Sequence, residues 1–305
     1  MPRYRFHQLD VFTRIPLTGN ALAVFPDAAG LDAATMQALA REMNLSETTF
    51  VTLSTSATRR VRFFTPMAEI PLAGHPTIGT WWMLAESGAL ELPRSGTARV
   101  MQETGAGVLP VDLALENGAV RRVVMTQARP QYGPTADSPA ALGEALGGDA
   151  RTVAPTPPPQ VVSTALPQLM IPIAGLERLK ALPSGGSGAA LTAVLRALGT
   201  ECAMCFTLEA ERPGADIHCR MFAPGLGVPE DPATGSAAGA LGAYLVRHGL
   251  VKPVAGRASI TVEQGLEIGR PSLIHVELVA AADGTVSEVR VGGEAVTVIT
   301  GEVTL

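Results

Sequence analysis

The chain has 305 residues and a formal net charge of −5, and 47% of its residues are hydrophobic. This length exceeds that of a usual single domain, so we expect two domains of about 150 residues each. Lysine and arginine never occur in runs longer than two residues, which leaves a nucleic-acid-binding or anionic-membrane surface without electrostatic support. No apolar stretch reaches about 18 residues and the N-terminus is polar, so we predict a cytoplasmic protein with no membrane span or signal peptide.

The first part of the chain predicts a strand-rich fold with two helices. Alternation of apolar and polar side chains predicts strands over 4–12, 21–25, 45–53, 59–65, 100–107, 108–115 and 120–127, with a hairpin at 107–108. The first helix begins at the N-cap Asp32 and ends at Asn44, a residue type that tolerates the left-handed conformation. The second helix, rich in small residues, begins near Gly74 and ends near Gly88.

The second part begins where composition shifts toward proline, alanine and glycine, over 128–159. The later pattern predicts helices over 139–146, 191–198 and 235–246, a strand over 161–173, a flexible loop over 184–188 and two closing strands within 287–305. Cys202, Cys205 and Cys219 form no even set and fit a reducing compartment. Cys202 and Cys205 lie in a strand-like run, so we interpret them as core residues rather than metal or redox ligands.

An internal repeat relates the two parts of the chain. Residues Arg62 to Pro66 match Arg220 to Pro224, and in both copies a small-residue helix starts further on, at Gly74 and at Gly235. A glycine at the end of each helix and a strand beyond it continue the match in the same order. An ordered series of this kind predicts two similar halves.

The start of the later helix combines two carboxylates with a proline. Pro232 keeps Asp231 out of the α conformation, and Thr234 is a good N-cap residue. The first turn then presents unpaired N–H groups and a partial positive charge, which suit a carboxylate or a phosphate. The repeat predicts the same feature at Gly74, so we expect two helix N-termini to face one cleft.

Glu47 is the best candidate for a general base. Alternation places it on one face of its strand with Thr49 and Val51, and desolvation among such neighbours raises the pKa of a carboxyl toward neutrality. We align its counterpart in the second half with Ala203, so that only one half carries the carboxylate. The alternative interpretation is a glutamate at a solvated strand edge.

The other candidates are His75, Asp231 and Ser236, and each has a structural alternative. His75 lies at a helix start, where the dipole favours a neutral imidazole, but a lone histidine also serves as a structural residue. Asp231 either takes part in chemistry or caps the helix. Ser236 either offers its hydroxyl to a ligand or fills a small position.

Several familiar catalytic patterns are missing from the sequence. It has no Gly-x-Ser-x-Gly elbow, no complete dinucleotide-binding glycine motif, and no His, Asp and Glu cluster with metal-ligand spacing. We therefore expect no cofactor and no metal. Proton movement next to a carbonyl, carboxylate or conjugated system needs only side chains, with the helix N-termini holding the anion of the substrate.

Motifs along nearly the whole chain carry a family resemblance. They are Asp10-Val11-Phe12, Thr18-Gly19-Asn20, Asn44 to Val51, Phe64-Thr65-Pro66, Ala73 to Pro76, Glu230 to Ala237, Gln264-Gly265 and Gly269 to Ser272. Together they resemble the PhzF-like isomerases of phenazine biosynthesis, which share their fold with diaminopimelate epimerase. The resemblance implies an α+β fold of two pseudo-symmetric domains, each a curved sheet or barrel around a central helix. The expected domains are 1–118, completed by a closing strand at 294–305, and 119–293.

The same resemblance implies a mechanism and an assembly. Glu47 is the implied general acid/base, with His75 and Asp231 orienting the substrate and handling protons. The substrate carboxylate is then held by helix-start amides and a hydroxyl, at Gly74, Gly235 and Ser236. The active site is implied to lie in the cleft between the domains of a cytoplasmic homodimer, and the chemistry to be biosynthetic and independent of any cofactor.

The substrate stays open at this point. The reference reaction of the family isomerises a dihydro-hydroxyanthranilate, but Thr18 and Ala21 stand where we expect serine and proline. Epimerases of this fold use a cysteine at each helix start, and His75 and Ser236 in those places disfavour a two-thiol racemase. The alternatives are an epimerase or lyase that uses the same Glu47, and a non-catalytic protein that binds a small carboxylate.

Overall fold

The computed structural model describes residues 1–305, which form 18 β-strands and six α-helices. The chain divides into two compact units. Unit 1 comprises Met1–Met125 and Gly292–Leu305, and unit 2 comprises Thr126–Val291. No helix of the chain combines the length and the apolar character needed to span a bilayer.

Unit 1 is built from strands around a buried helix. Its elements are β1 (Arg3–Val11), β2 (Asn20–Phe25), α1 (Ala33–Met43), β3 (Glu47–Thr52), β4 (Arg59–Phe64), β5 (Glu69–Ile70), α2 (Gly74–Glu86), β6 (Gly96–Thr104), β7 (Gly107–Glu116), β8 (Ala119–Gln127) and β18 (Ala295–Thr304). The strand β1 pairs antiparallel with both β18 and β2, and β2 pairs parallel with β3. Antiparallel β3–β4, parallel β4–β6 and antiparallel β6–β7 and β7–β8 pairs continue the sheet.

Local sequence signals explain the first helix. Asp32 adopts an extended conformation and its carboxylate accepts a hydrogen bond from the Thr35 amide, as an N-cap residue does. Asn44 ends the helix in the left-handed conformation, with φ of 50°. Both predicted ends of α1 are therefore confirmed, and the chain turns directly from Asn44 into β3.

Unit 2 repeats this plan. Its elements are β9 (Gln131–Thr135), α3 (Pro139–Ala145), β10 (Gln160–Ser163), β11 (Pro167–Pro172), α4 (Leu176–Lys180), α5 (Ala189–Ala197), β12 (Ala203–Thr207), β13 (Ile217–Ala223), a 3₁₀ turn (Pro224–Leu226), β14 (Val228–Asp231), α6 (Gly235–Arg247), β15 (Arg257–Gln264), β16 (Ser272–Ala280) and β17 (Val286–Gly293).

The strand pairings confirm that the two halves are similar. Antiparallel β10–β11, parallel β11–β12, antiparallel β12–β13, parallel β13–β15 and antiparallel β15–β16 follow one another in unit 2. This is the order of pair types from β1 to β7 in unit 1, and the short strands β5 and β14 pair with the corresponding strands β4 and β13. Strand β9 closes the far side of β10 as β18 does for β1.

The central helix of each unit is buried along most of its length. In α2 every residue from His75 to Leu84 is buried, and in α6 every residue from Ala237 to Val246. Small residues permit this closeness, since a Cβ on Gly79 would lie 2.6 Å from a methyl carbon of Leu22. The predicted pair of domains, each with a sheet around a central helix, matches this architecture.

The sheet register corrects the alignment of Glu47. Phe64 pairs with the residue that follows Glu47, whereas its repeat counterpart Phe222 pairs with Ala203. The counterpart of Glu47 is therefore Cys202, one residue earlier than the sequence predicts. The sequence could not resolve this one-residue shift, because the two strands share too few side chains to fix their alignment.

Two further predictions need correction. The single strand predicted over 161–173 is a hairpin of β10 and β11, with a turn at 164–166. Thr234 is the N-cap residue of α6 by position, but its side chain makes no cap hydrogen bond. Its hydroxyl oxygen accepts from Gln264 Nε2 at 3.0 Å and donates to the carboxylate of Asp231 instead of accepting from an amide of the first turn. The strand β9 and the short helix α4 were not predicted from the sequence.

Candidate active site

Glu47 is the first residue of β3 and pairs with Leu22 of the parallel strand β2. Its side chain is 19% exposed, and its Oε2 atom is buried without a hydrogen bond from the chain. Burial raises the pKa of Glu47 from an ordinary value of 4.5 to about 7, while a hydrogen bond from Ser46 opposes part of the shift. A carboxyl with this pKa is present in both protonation states near neutral pH, so it is suited to take up and return a proton.

His75 lies beside this carboxyl. It is the second residue of α2, its side chain is 8% exposed, and its Nε2 atom is 3.5 Å from Glu47 Oε2. The N-cap residue Ala73 has no side chain that can accept from the first turn, so the amides that start α2 are not capped by a side chain. Unit 1 thus places a titratable carboxyl, an imidazole and a helix N-terminus together.

In unit 2 the start of α6 is organised around Asp231. The hydroxyl of Thr234 donates to Asp231 Oδ2, and Gln264 Nε2 donates both to the Asp231 carbonyl at 2.6 Å and to Thr234 Oγ1 at 3.0 Å. Gln264 Oε1 in turn accepts from the Thr234 amide at 3.2 Å. Asp231 lies three residues before the N-cap position, so the structural alternative in which it is itself the N-cap residue is not what the helix uses.

Ser236 and Gly235 form the first turn of α6. Ser236 is half-buried, and its Oγ atom accepts a hydrogen bond from Gln168 Nε2 at 3.0 Å. The carbonyl of Gly235 accepts from Gln127 Nε2 at 3.0 Å, and the carbonyl of Ser236 from Thr164 Oγ1 at 3.3 Å. The backbone of this turn is therefore fixed from its carbonyl side.

The predicted residues form one set in each unit. Glu47, Gly74 and His75 lie together in unit 1, and Asp231, Gly235 and Ser236 in unit 2. In both sets a helix begins without a side-chain cap. Uncapped N-terminal amides are the groups that bind carboxylates and phosphates.

Sequence reasoning missed several polar residues that support these sets. Gln264 and Gln168 hold the second set, and Ser46 donates to Asn20 Oδ1 at 3.2 Å next to Glu47. All except Gln168 belong to motifs that carry the family resemblance, which was a usable signal. Gln168 is distant in sequence from α6, and no local pattern marks it.

The structure brings together His and Glu residues that show no metal-ligand spacing in the sequence. One side-chain ligand atom each of Glu211, His218 and Glu267 lies within 4.8 Å of the others. His218 is fully buried between Glu263 and Glu267, each 2.8 Å from one ring nitrogen. Burial alone would lower the pKa of His218, but the two carboxylates raise it above its ordinary value. The residues come from separate strands and loops, so their sequence spacing gave no warning.

The cysteines behave as core residues, as predicted. All three are buried and free. Burial, with smaller contributions from Asp231 and Glu201, raises the pKa of Cys202 to about 11, so its thiol stays protonated at neutral pH. Unit 2 therefore has no ionisable carboxyl in the place of Glu47.

A cavity of about 380 Å³ also opens in unit 2, lined by Leu166, Pro167, Arg196, Gly199, Thr200, Glu201, Cys202 and Leu226. None of the predicted site residues lines it. Of its polar groups, Arg196 Nε donates to Glu201 Oε1 at 2.9 Å, while Glu201 Oε2 is buried without a hydrogen-bond partner. We do not assign the cavity to the candidate active site.

Comparison with known proteins gives consistent results. Residues 9–301 match the family model PhzC-PhzF, described as phenazine biosynthesis-like protein. The trans-2,3-dihydro-3-hydroxyanthranilate isomerase of Pseudomonas chlororaphis is 37% identical, over 97% of this chain and 98% of that protein. The crystal structure of a PhzF-family phenazine biosynthesis protein from Bacillus anthracis matches with a TM-score of 0.91 and 30% identity, covering 100% of both chains.

A more distant structure extends the likeness of fold alone. A hydroxyproline epimerase from Agrobacterium vitis matches with a TM-score of 0.66 at 14% identity, covering 99% of this chain and 92% of that one. The predicted epimerase-like fold is therefore confirmed.

Proposed function

The chain belongs to the phenazine biosynthesis-like protein family and is an isomerase, and we propose that it moves a proton on a small carboxylate-bearing substrate with Glu47 as general acid/base. The observation that carries the proposal is the state of Glu47: a buried carboxyl with a pKa of about 7, 3.5 Å from His75. A structural glutamate at a solvated edge would keep the pKa of an ordinary carboxyl.

The proposed reaction balances without any co-reactant. The Glu47 carboxylate removes a proton from a carbon next to a conjugated system, and the electron pair of that C–H bond moves into the conjugated system. The protonated Glu47 then returns the proton to another carbon on the same face, which restores the carboxylate and shifts the double bond. A pKa near 7 makes both transfers accessible, since neither the acid nor the base form is strongly favoured.

Both sets supply binding groups in this proposal. We propose that the uncapped amides at Gly74 and Gly235 and the hydroxyl of Ser236 hold the substrate carboxylate, with His75 and Asp231 orienting the substrate. Helix-start amides stabilise both the bound carboxylate and negative charge that develops during proton transfer. Both sets would then act on one substrate, as the family resemblance implies.

The name of one relative supports a proposal for the substrate class. The Pseudomonas chlororaphis protein acts on trans-2,3-dihydro-3-hydroxyanthranilate by its name, so we propose a cyclic, unsaturated carboxylate of this kind. We also propose a cytoplasmic homodimer with a biosynthetic role, and a reaction that needs no metal or cofactor. Light scattering after size-exclusion chromatography tests the dimer, and activity retained after dialysis against a chelator tests the independence from metal.

The decisive experiment follows carbon-bound hydrogen by proton NMR in deuterium oxide. Wild type, Glu47→Gln and the control Glu42→Gln are compared on a panel of cyclic and amino-acid-like carboxylates that includes trans-2,3-dihydro-3-hydroxyanthranilate. Glu42 is an exposed glutamate of α1. We expect wild type and Glu42→Gln to isomerise or exchange at least one compound and Glu47→Gln to do neither.

The other outcomes separate the alternatives. Exchange at one carbon with inversion and no double-bond shift identifies an epimerase. Ligand binding with no exchange by wild type identifies a carboxylate-binding protein. Exchange that persists in Glu47→Gln contradicts the assignment of Glu47.

A further inference from the structure

We propose that Gln168 is a positioning residue that fixes the Ser236 hydroxyl as a hydrogen-bond donor toward the substrate carboxylate. The inference rests on the proposed function, because it assigns a partner to a residue of that site. Gln168 lies in β11 and is fully buried, and its Nε2 atom donates to Ser236 Oγ at 3.0 Å. No other side chain contacts the Ser236 hydroxyl by a hydrogen bond.

The direction of this bond decides what Ser236 can do. A serine oxygen can accept two hydrogen bonds but has one proton to donate. A glutamine nitrogen only donates, so Ser236 Oγ must act as the acceptor toward Gln168. The proton of Ser236 is therefore left to point away from Gln168, and a serine without this partner would be free to rotate its proton elsewhere.

The repeat shows that packing does not require glutamine at this place. Leu22 pairs with Glu47 across β2 and β3, and the same register in unit 2 places Gln168 opposite Cys202. Leu22 is fully buried and packs against Gly79 of α2. A leucine therefore suffices at this position to cover the central helix of a unit.

The glutamine also carries a cost that a leucine avoids. Its Oε1 atom is buried without a hydrogen-bond partner, which is unfavourable for a polar atom. The second residue of the central helix also differs between the units, since α6 has Ser236 where α2 has His75. Glutamine therefore occurs in the unit that has the serine, and the bond from Gln168 Nε2 to Ser236 gives a reason for a glutamine at this position.

In the first turn of α6 the backbone is held by hydrogen bonds, and the Ser236 hydroxyl is the group that can still rotate. Gln127 and Thr164 hold the carbonyls of Gly235 and Ser236, and Thr234 is held by Gln264. The backbone amides of the turn are thereby aimed in a fixed direction. The orientation of the Ser236 proton is the remaining variable, and Gln168 sets it.

The test compares wild type, Gln168→Leu, Ser236→Ala and the double variant. Calorimetry measures the affinity for 3-hydroxyanthranilate, a stable aromatic carboxylate, and kinetics on trans-2,3-dihydro-3-hydroxyanthranilate separate KM from kcat. We expect Gln168→Leu to weaken binding and raise KM about tenfold, the size of one lost hydrogen bond to a charged group. Ser236→Ala should do at least as much, and the double variant should be no weaker than Ser236→Ala alone.

A structural role would give a different pattern. Gln160→Leu is the matched control, because Gln160 is a buried glutamine of the neighbouring strand β10 that bonds Gly133 and His248, the C-cap residue of α6, instead of the first turn of α6. It should change thermal stability but leave KM unchanged. Gln168→Met provides a second, unbranched replacement if the leucine variant folds poorly.

Two results overturn the inference and can be told apart. Wild-type affinity and KM in a folded Gln168→Leu or Gln168→Met overturn it alone, and so do losses in the double variant that equal the sum of the single losses. A wild-type protein that neither binds 3-hydroxyanthranilate nor exchanges hydrogen on any panel compound contradicts the proposed function, and the inference falls with it.

Discussion

An arginine–glutamate ion pair precedes the central helix in both units, but the two pairs differ in burial. In each unit an arginine donates two hydrogen bonds to a glutamate that precedes the central helix: Arg62 to Glu69 in unit 1, and Arg220 to Glu230 in unit 2. The first pair is partly exposed, with 21% and 43% of the two side chains accessible, while the second is 2% exposed on both sides. The same local chemistry thus serves in two different environments.

The buried pair is part of a larger network. Arg220 Nη1 also donates to the carbonyl of Leu182 at 2.5 Å, and Ser184 Oγ donates to Glu230 Oε2 at 2.5 Å. Glu267 lies 3.8 Å from Arg220 Nε and extends the network to His218. Glu230 immediately precedes Asp231, so this network fixes the segment that carries Asp231.

We expect the two sets of site residues to have different roles. Unit 1 keeps its titratable groups, Glu47 and His75, beside a helix start that is anchored by a solvent-accessible ion pair. Unit 2 has a thiol that does not ionise in the place of Glu47, and its polar residues are committed to hydrogen bonds around Asp231 and Ser236. Proton transfer is therefore expected from the first set and rigid positioning from the second.

The largest expected difference is in stability. Glu230→Gln leaves Arg220 buried with an incomplete set of acceptors, so we expect a loss of roughly 3–5 kcal/mol in the free energy of unfolding. Glu69→Gln removes the partner of the more exposed Arg62 and should cost less than about 1 kcal/mol. Urea unfolding of both variants measures the difference. Equal losses would show that burial does not distinguish the two pairs.

The second prediction concerns the stability cost of Glu47. Its folded pKa of about 7 lies above the ordinary 4.5, so folding favours the protonated form and stability falls as pH rises from 4.5 to 7. Glu47→Gln should therefore stabilise the protein by about 3 kcal/mol above pH 8 and leave it unchanged near pH 4. Unfolding curves at both pH values check this. A stabilisation that is the same at both would exclude ionisation as its cause.

The third prediction uses the buried histidine of unit 2. The pKa of His218 is raised, because its bonds to Glu267 and Glu263 outweigh burial. The stabilisation it contributes is complete below the unfolded pKa of 6.5 and is lost as pH rises through the folded value. His218→Gln should therefore destabilise the protein more at pH 6 than at pH 9. A larger loss at pH 9 would mean that the histidine is neutral in the folded protein.

The smallest expected effect belongs to the hydroxyl of Thr234. Thr234→Ala removes its hydrogen bond to Asp231, and Ala73 already occupies the corresponding N-cap position of α2. Because no cap bond is lost, we expect less than about 1 kcal/mol in stability but a severalfold decrease in kcat/KM through a less ordered Asp231. Thr35→Ala, at a threonine whose amide bonds the Asp32 cap, is the control. A change in stability without a change in kcat/KM would assign Thr234 to the fold alone.

Much of the fold was predictable because its signals are local. Asp32 and Asn44 mark the ends of α1, and the alternation around 107 marks the hairpin of β6 and β7. The internal repeat was visible for the same reason, since an arginine, a proline and a helix-start glycine recur in order. Glu47 and His75 were identified by residue type and family resemblance, and the 3.5 Å between them agrees with a shared place.

What could not be predicted depends on contacts distant in sequence. The counterpart of Glu47 was placed one residue too late, because only the pairing of β12 with β13 defines it. Thr234 was predicted to cap α6, but its hydroxyl donates to Asp231, three residues earlier, and accepts from Gln264, which is 30 residues further along the chain. The cluster around His218 joins residues from separate strands and loops.

The most direct test of the account is the pH dependence of hydrogen exchange into the substrate in deuterium oxide, measured beside carbon-13 NMR of glutamate-labelled protein. We predict that the carboxyl signal lost in Glu47→Gln titrates with a pKa of about 7, and that the exchange rate falls about tenfold for each pH unit below it, since the base form is required. An exchange rate that stays constant between pH 5 and 8, or a Glu47 signal that titrates near 4.5, would contradict it.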